Sequence, residues 1–362
     1  MEHTPEFDRN VENALWSLYK HFPAKIIDSF EDSALTEFIY ENISKTPIIG
    51  LSRENIQTRI QQIKKYRKNL QDLLDSPQVK QRSPEWFELR KERLTASATA
   101  QAIGKGKFGN RNQLLNTKAF PENQKWGPTT SGPMYHGTML EAMSSRCYAQ
   151  RNNNMLIYDF GMIKHPELSC YGASPDGITE VGIMVEIKTP WRRKVDGTIP
   201  EEYMLQMQGQ MAVCGLLECD FVDCKIDILS DQHTYMRDIV KNCTLDHGVI
   251  VETRDENGNP IFEYSPENLT STECIQWMTT YCKTINKTTM FYKISYWKMY
   301  KIITTRVYFD DALWQSLIPQ IELFWNDVLR YRIDKPNIVS DSPKKEKDSK
   351  KVKFDFIDSD ED

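Results

Sequence analysis

The chain has 362 residues, 40% of them hydrophobic and 27% charged, with 46 Lys+Arg against 51 Asp+Glu for a net charge of -5. These proportions are globular and exclude wholesale disorder, and no apolar run approaches the ~18 residues of a membrane span. The average charge hides a distribution: residues 81–206 hold 16 basic against 13 acidic side chains and are the least acidic part of the chain, so total charge does not decide what it binds.

Residues 1–80 read as a helical extension. Ile56, Ile60, Ile63, Tyr66, Leu70 and Leu73 recur at steps of three and four and share one helical face. Ser52 supplies an N-cap, and Ser76-Pro77 ends the helix. The pattern is shorter than a coiled coil needs, so the face predicts packing on the chain's own fold. A second helix begins at Ser83-Pro84. A basic glycine-rich loop covers 104–111, and helical spacing resumes over 139–149. Strands are predicted over 155–163, 168–173 and 182–188, a helix over 201–217, and a strand over 221–229. Residues 249–264, interrupted at Asn257-Gly258, read as a hairpin. A last strand over 293–309 runs into a helix over 311–331. From Asn337 the chain is poor in apolar residues, with six lysines between Lys344 and Lys353, and predicts a disordered charged tail. Strands mixed with helices give an α/β or α+β class. The expected organisation is a helical extension at 1–80, a catalytic domain at 81–335 and a tail at 336–362. The N-terminus has no basic stretch before an apolar run, and eight cysteines occur without a CxxC pair, so a reduced intracellular compartment is expected.

The stretch richest in chemistry is Ser174-Pro175-Asp176-Gly177 followed by Glu186-Ile187-Lys188. Asp176 sits at a turn after an apolar strand, and Glu186 and Lys188 alternate on the next strand, so they share a face. If the strands pair, Asp176 and Glu186 converge on one cation. Hard carboxylate oxygens suit Mg²⁺ or Mn²⁺, and Lys188 would lie beside a metal-bound water. On these residues alone, a surface turn followed by an edge-strand ion pair explains the pattern as well. Trp86 and Arg90 stand one helical turn apart, with Thr95 and Ser97 beyond them. The guanidinium fork and the hydroxyl suit a phosphate, while core packing and a surface ion pair are the ordinary alternatives. Gln206 and Gln210 share a face of an otherwise apolar helix and need partners; a phosphate, a catalytic carboxylate or a backbone carbonyl would serve.

Taken in order, Trp86, Arg90, Thr95 and Ser97, then Gly137 and Glu141, then Ser174 to Gly177, Glu186 and Lys188, then Tyr203, Gln206 and Gln208, resemble the YqaJ-like viral recombinase family. Its best-known member is the exonuclease of bacteriophage lambda, a PD-(D/E)xK nuclease. The resemblance covers roughly residues 81–217. It implies a restriction-endonuclease-like core, a central mixed β-sheet flanked by helices. It implies Asp176, Glu186 and the main-chain carbonyl of Ile187 as metal ligands, Lys188 as catalytic lysine, and Glu141 as a second-metal ligand or water orienter. Arg90, Ser97, Ser174 and Gln206, with Trp86 and Thr95, would grip a DNA 5′-phosphate. Lys105, Lys107 and Arg111 would approach the duplex.

The implied activity is a Mg²⁺-dependent 5′→3′ exonuclease on 5′-phosphorylated double-stranded DNA ends, with Mn²⁺ as a substitute and without an iron–sulfur cluster. Alternatives are a structure-specific endonuclease with the same metal core, or a catalytically silent binding relic. The partners it admits are double-stranded DNA ends, a single-strand annealing protein and a second copy of the chain, with no membrane. The host cytoplasm or nucleus is the expected location.

Overall fold

The computed structural model describes residues 4–107, 109–123, 129–241, 246–285 and 290–334. The expected tail lies outside these residues. Four helices come first: α1 (Pro5–Tyr19), α2 (Ala24–Ser29), α3 (Asp32–Ile43) and α4 (Arg53–Asp75). Ser52 caps α4 as expected, its hydroxyl accepting from the Asn55 N–H at 3.1 Å. The predicted stripe is the buried one: Ile56, Ile60, Ile63, Tyr66 and Leu70 all lie inside.

The middle of the chain follows as α5 (Pro84–Lys91), β1 (Leu94–Thr95), α6 (Thr99–Ala102), α7 (Arg111–Ala119), α8 (Gly132–Arg151), β2 (Ile157–Tyr158), β3 (Ile163–Lys164), β4 (Tyr171–Ala173), β5 (Gly177–Thr179), β6 (Met184–Lys188) and α9 (Glu201–Cys214). The last part supplies β7 (Glu218–Leu229), α10 (Gln232–Lys241), β8 (His247–Arg254), β9 (Pro260–Tyr264), α11 (Ser271–Thr284), β10 (Met290–Tyr308) and α12 (Asp311–Asp334).

Seven strands form one mixed sheet in the order β2-β5-β6-β7-β10-β8-β9, and β1-β4-β3 form a smaller one. In the large sheet only β6 and β7 run parallel. Helices flank it, as the resemblance implies. On β6, Val185 and Ile187 pack toward Met139 and Met143 of α8, while Met184 faces the cluster that includes Met207 and Met211 of α9. The strand is therefore buried on both faces, as a central parallel strand must be.

Three predictions need correction. The single strand expected over 155–163 is two short pieces in different sheets. The break comes where Gly161 runs against residue 79: a Cβ at Gly161 would fall 1.6 Å from the Val79 carbonyl oxygen. Second, the helix expected over 201–217 stops at Cys214, because Gly215 adopts φ +65° and reverses the chain. Third, α10 and α11 were not predicted. Both cover the far end of the sheet, where Tyr235 and Cys274 pack with Val249 and Val251 of β8.

The first four helices are packed on the sheet. Arg59 of α4 bonds Glu12 of α1 and Glu218 of β7, and Arg306 of β10 bonds Glu12, Glu218 and Asp220. All five side chains are buried. Gly182, in the turn between β5 and β6 at φ +80°, lies against α4 so closely that a Cβ would stand 2.5 Å from that of Tyr66.

Candidate active site

The β5–β6 hairpin builds the site. Its register pairs Gly177 with Val185 and Ile178 with Met184, so one further step sets Asp176 across from Glu186. Asp176 Oδ2 accepts from the Ile187 N–H at 2.8 Å, which fixes the carboxylate against the next strand. Glu186 is fully buried. Gln206 donates to its Oε1 at 2.7 Å and Gln210 to its Oε2 at 2.8 Å. The two amides on α9 thus find the carboxylate partner that their spacing allowed. Lys188 also bonds Glu186 Oε1, and its ammonium lies 5.0 Å from the Tyr203 ring centre.

A cleft of about 1180 Å³ opens here, lined by Asp176, Ile187, Lys188 and Glu141. Glu141 reaches it from α8, with Arg82 3.7 Å from its carboxylate. Burial pushes the Asp176 carboxyl well above the ordinary range, and the neighbouring charges of Glu186 and Glu141 add to this. Burial likewise raises Glu141, against the pull of Arg82 and Lys188. Lys188 responds in the opposite sense. Burial disfavours its charge, but Glu186 and Asp176 more than reverse this and hold it protonated above its usual value. It therefore enters the site as a cation rather than as a free base.

Among the described residues no three acidic, imidazole or thiol side chains are gathered into a ready-made metal cage. The chemistry of the donors nonetheless fits a hard divalent ion. Asp176 and Glu141 offer oxygens only, and burial and neighbouring carboxylates, Glu186 among them for both, make their charge unfavourable until a cation offsets it.

A second group assembles one strand away. The Trp86 indole donates to Ser174 Oγ at 3.0 Å, two residues before Asp176. The Arg90 guanidinium lies 4.4 Å from the Trp86 ring centre, and no carboxylate among the described residues pairs with it. Burial alone lowers its pKa to about 10, which still leaves it charged at neutral pH. β1 pairs in parallel with β4, Thr95 opposite Gly172, and Thr95 Oγ1 stands 3.2 Å from the exposed Ser97 hydroxyl. Helix α5, β1 and the Ser174 turn thus meet at the end of β4.

The other expected residues lie differently. Gln206, expected beside the phosphate, has its amide on Glu186. Arg111 is the first residue of α7 and pairs with Asp327 of α12 at 2.6 Å, a packing role rather than an exposed contact. Lys105 pairs with Glu201 at 2.6 Å, whereas Lys107 lines the cleft. Sequence reasoning missed Gln81, whose amide donates to the Phe160 carbonyl at 2.9 Å and the Pro175 carbonyl at 3.4 Å and pins the turn before Asp176. No local pattern marks it. It also missed Trp191 and Arg193 just past Lys188, although Trp-Arg-Arg-Lys is a legible basic aromatic run.

Residues 85–217 match the YqaJ-like viral recombinase domain. The chain carries that domain. The YqaJ-like segment runs from the start of α5 to just past α9 and so contains Trp86, Arg90, Glu141, Asp176, Glu186 and Lys188. An uncharacterized protein of Acanthamoeba polyphaga mimivirus is 26% identical over 303 residues, covering 71% of this chain and 54% of its own length. A protein of African swine fever virus is 23% identical over 167 residues, 38% of this chain and 47% of its own. The chain thus spans about half the length of these viral relatives. The alkaline exonuclease of Laribacter hongkongensis is 20% identical and aligns with a TM-score of 0.42, over 69% of this chain and 95% of that one.

Proposed function

We propose that the chain is a divalent-metal-dependent deoxyribonuclease. On this reading it removes nucleotides 5′→3′ from 5′-phosphorylated ends of double-stranded DNA and leaves 3′ single strands for viral DNA recombination or repair. The observation that carries the proposal is the cleft itself. Two carboxylates and a lysine converge there, and a half-buried arginine with no carboxylate partner among the described residues stands over Trp86 at the Ser174 turn.

Asp176, Glu186 and the main-chain carbonyl of Ile187 would hold the metal, Mg²⁺ with Mn²⁺ as substitute, and Glu141 would add a ligand or orient water. When bound, such an ion supplies Lewis acidity to the scissile phosphate and neutralises its charge. The remaining roles belong to the chain. Gln206 and Gln210 fix the Glu186 carboxylate, and the Ile187 N–H fixes Asp176. Lys188 starts protonated beside Glu186 and donates to the attacking water or to a phosphate oxygen; where positive charge collects beside it, its pKa falls and it can take a proton from that water. The product is a 5′-mononucleotide.

Arg90, backed by Trp86 and flanked by Ser174 and Ser97, would receive the terminal 5′-phosphate as a two-pronged donor. An enzyme that cuts inside a duplex has no need of such a grip, which favours exonuclease over structure-specific endonuclease. The test compares end-labelled linear duplex with covalently closed circles, in Mg²⁺ and in chelator. Metal-dependent release of mononucleotides from the linear duplex alone supports the proposal; rapid nicking of circles would displace it.

A further inference from the structure

The loop after β6 carries an exposed indole into the cleft. Trp191 lies three residues beyond Lys188 and lines the same space as Asp176 and Lys188, yet its side chain is 46% exposed. It is not a loose surface residue. The His136 ring on α8 stacks against it, 6.4 Å between centres and 20° between planes. The Arg192 guanidinium lies 5.4 Å from the indole centre, and no acidic side chain among the described residues pairs with it. Arg193 anchors the loop through two bonds of 2.7 Å to the Asp223 carboxylate of β7. Met134 of α8, 75% exposed, lines the same cleft. Nearly half of the indole is exposed beside the Asp176 and Glu141 carboxylates, and open apolar surface of this kind marks a contact site.

Resting on the nuclease reading above, we propose that Trp191 is a stacking platform for an unpaired nucleobase at the end of the substrate strand, held beside the scissile phosphate. Every nucleobase has a π-face, so an indole accepts any of them without reading sequence. The occupant is a nucleic-acid strand rather than an apolar peptide, because Arg192 lies against the indole without an acidic partner among the described residues, and Lys107 and Lys188 line the same cleft, cations suited to a backbone of phosphates. A base that leaves its pair to reach the site loses its stacking in the duplex, and the indole replaces that loss. His136 holds the ring in place before the base arrives, so little is lost in ordering it.

The test uses the full chain and fluorescein-labelled duplexes with a short frayed 5′-phosphorylated end, in Ca²⁺ to slow cleavage. The last three nucleotides of that end carry either normal bases or abasic sites. The wild type is expected to bind the base-bearing end about tenfold more tightly than the abasic end, within the range of base–aromatic stacking. Trp191→Ala should bind both ends alike, at about the wild-type affinity for the abasic end. Trp191→Phe should keep most of the preference, and it stands in if the alanine variant fails to fold. The platform is overturned if Trp191→Ala keeps the preference, if it weakens both ends equally, or if the wild type shows no preference. Cleavage of ordinary linear duplex in Mg²⁺ is read separately. A wild type that cleaves without discriminating refutes the platform alone, and one that discriminates without cleaving refutes the nuclease reading alone.

Discussion

Two clusters of charged side chains lie along the same sheet and are built in opposite ways. Where α1 and α4 meet β7 and β10, each guanidinium touches at least two carboxylates: Arg59 meets Glu12 and Glu218, and Arg306 meets Glu12, Glu218 and Asp220. Burial would raise Glu12, but Arg306 and Arg59 pull its carboxyl down to about 2. The tyrosines close the network, Tyr148 donating to Asp220 at 2.7 Å and Tyr66 to Glu218 at 3.1 Å. In the cleft the reverse holds. Asp176 and Glu141 are both driven upward, and Arg90 has burial without an acid to offset it. The first cluster pairs each arginine with several acids and fastens the N-terminal helices to the sheet, while Asp8 at its edge, 3.4 Å from Arg59, is itself raised by burial. The second holds two raised carboxyls and an arginine without an acidic partner among the described residues, the pattern that the proposed cation and phosphate sites call for.

The sharpest way to break this contrast is to remove one member from each cluster. Arg306→Met leaves three buried carboxylates short of a partner and should cost roughly 3–5 kcal/mol, a large share of a domain's stability. Denaturant melts would show it as a lower midpoint. Lys188→Ala should act mainly on turnover: cleavage of 5′-phosphorylated duplex falls by about 10³-fold, within the range for a proton-transfer group, while Gln206 and Gln210 still hold the Glu186 carboxylate, so the melt falls less than in Arg306→Met. If Lys188→Ala degrades DNA as well as the wild type does, the assigned chemistry is wrong. Acid titration separates the clusters as well. Because Glu12 is held below its ordinary value of 4.5, its contribution is complete above that pH and is lost as pH falls toward 2. Glu12→Gln should therefore flatten the acid limb of the stability curve, read by circular dichroism. The smallest expected effect is at the phosphate end. Arg90→Ala should slow cleavage of 5′-phosphorylated ends about tenfold more than that of 5′-hydroxyl ends, the weight of one charge-assisted contact. Equal slowing of both would remove Arg90 from the end-binding role.

Much of the cleft was legible in the sequence because its chemistry is local. Ser174 to Gly177 and Glu186 to Lys188 are short runs whose strand alternation and turn residues already set Asp176 near Glu186. Gln206 and Gln210 announced themselves as amides on an apolar helix, although whether a phosphate, a carboxylate or a carbonyl would meet them was open until α9 was seen against β6. The buried network was invisible. Glu12, Arg59, Glu218 and Arg306 are far apart in the chain and each looks like an ordinary surface charge; only the packing of α1 and α4 on the sheet brings them together. The same reason explains Arg111, which looked like a loop cation and is held by Asp327 some two hundred residues away. Helix α11 was readable, since Thr270 and Glu273 form a capping box ahead of it. The break between β2 and β3 was not, because it depends on Val79 passing Gly161.

Asp176 is proposed as a ligand of a divalent cation, and thermal melts with and without Mg²⁺ test that role most directly. In chelator, Asp176→Asn should melt above the wild type, since a buried carboxyl with a raised pKa favours folding only while protonated and loses that contribution as pH rises through its folded value. The gap should therefore close in acid. Millimolar Mg²⁺ should then raise the wild-type melting temperature and leave Asp176→Asn where it was. A wild type indifferent to Mg²⁺, or a variant that responds equally, would contradict the account.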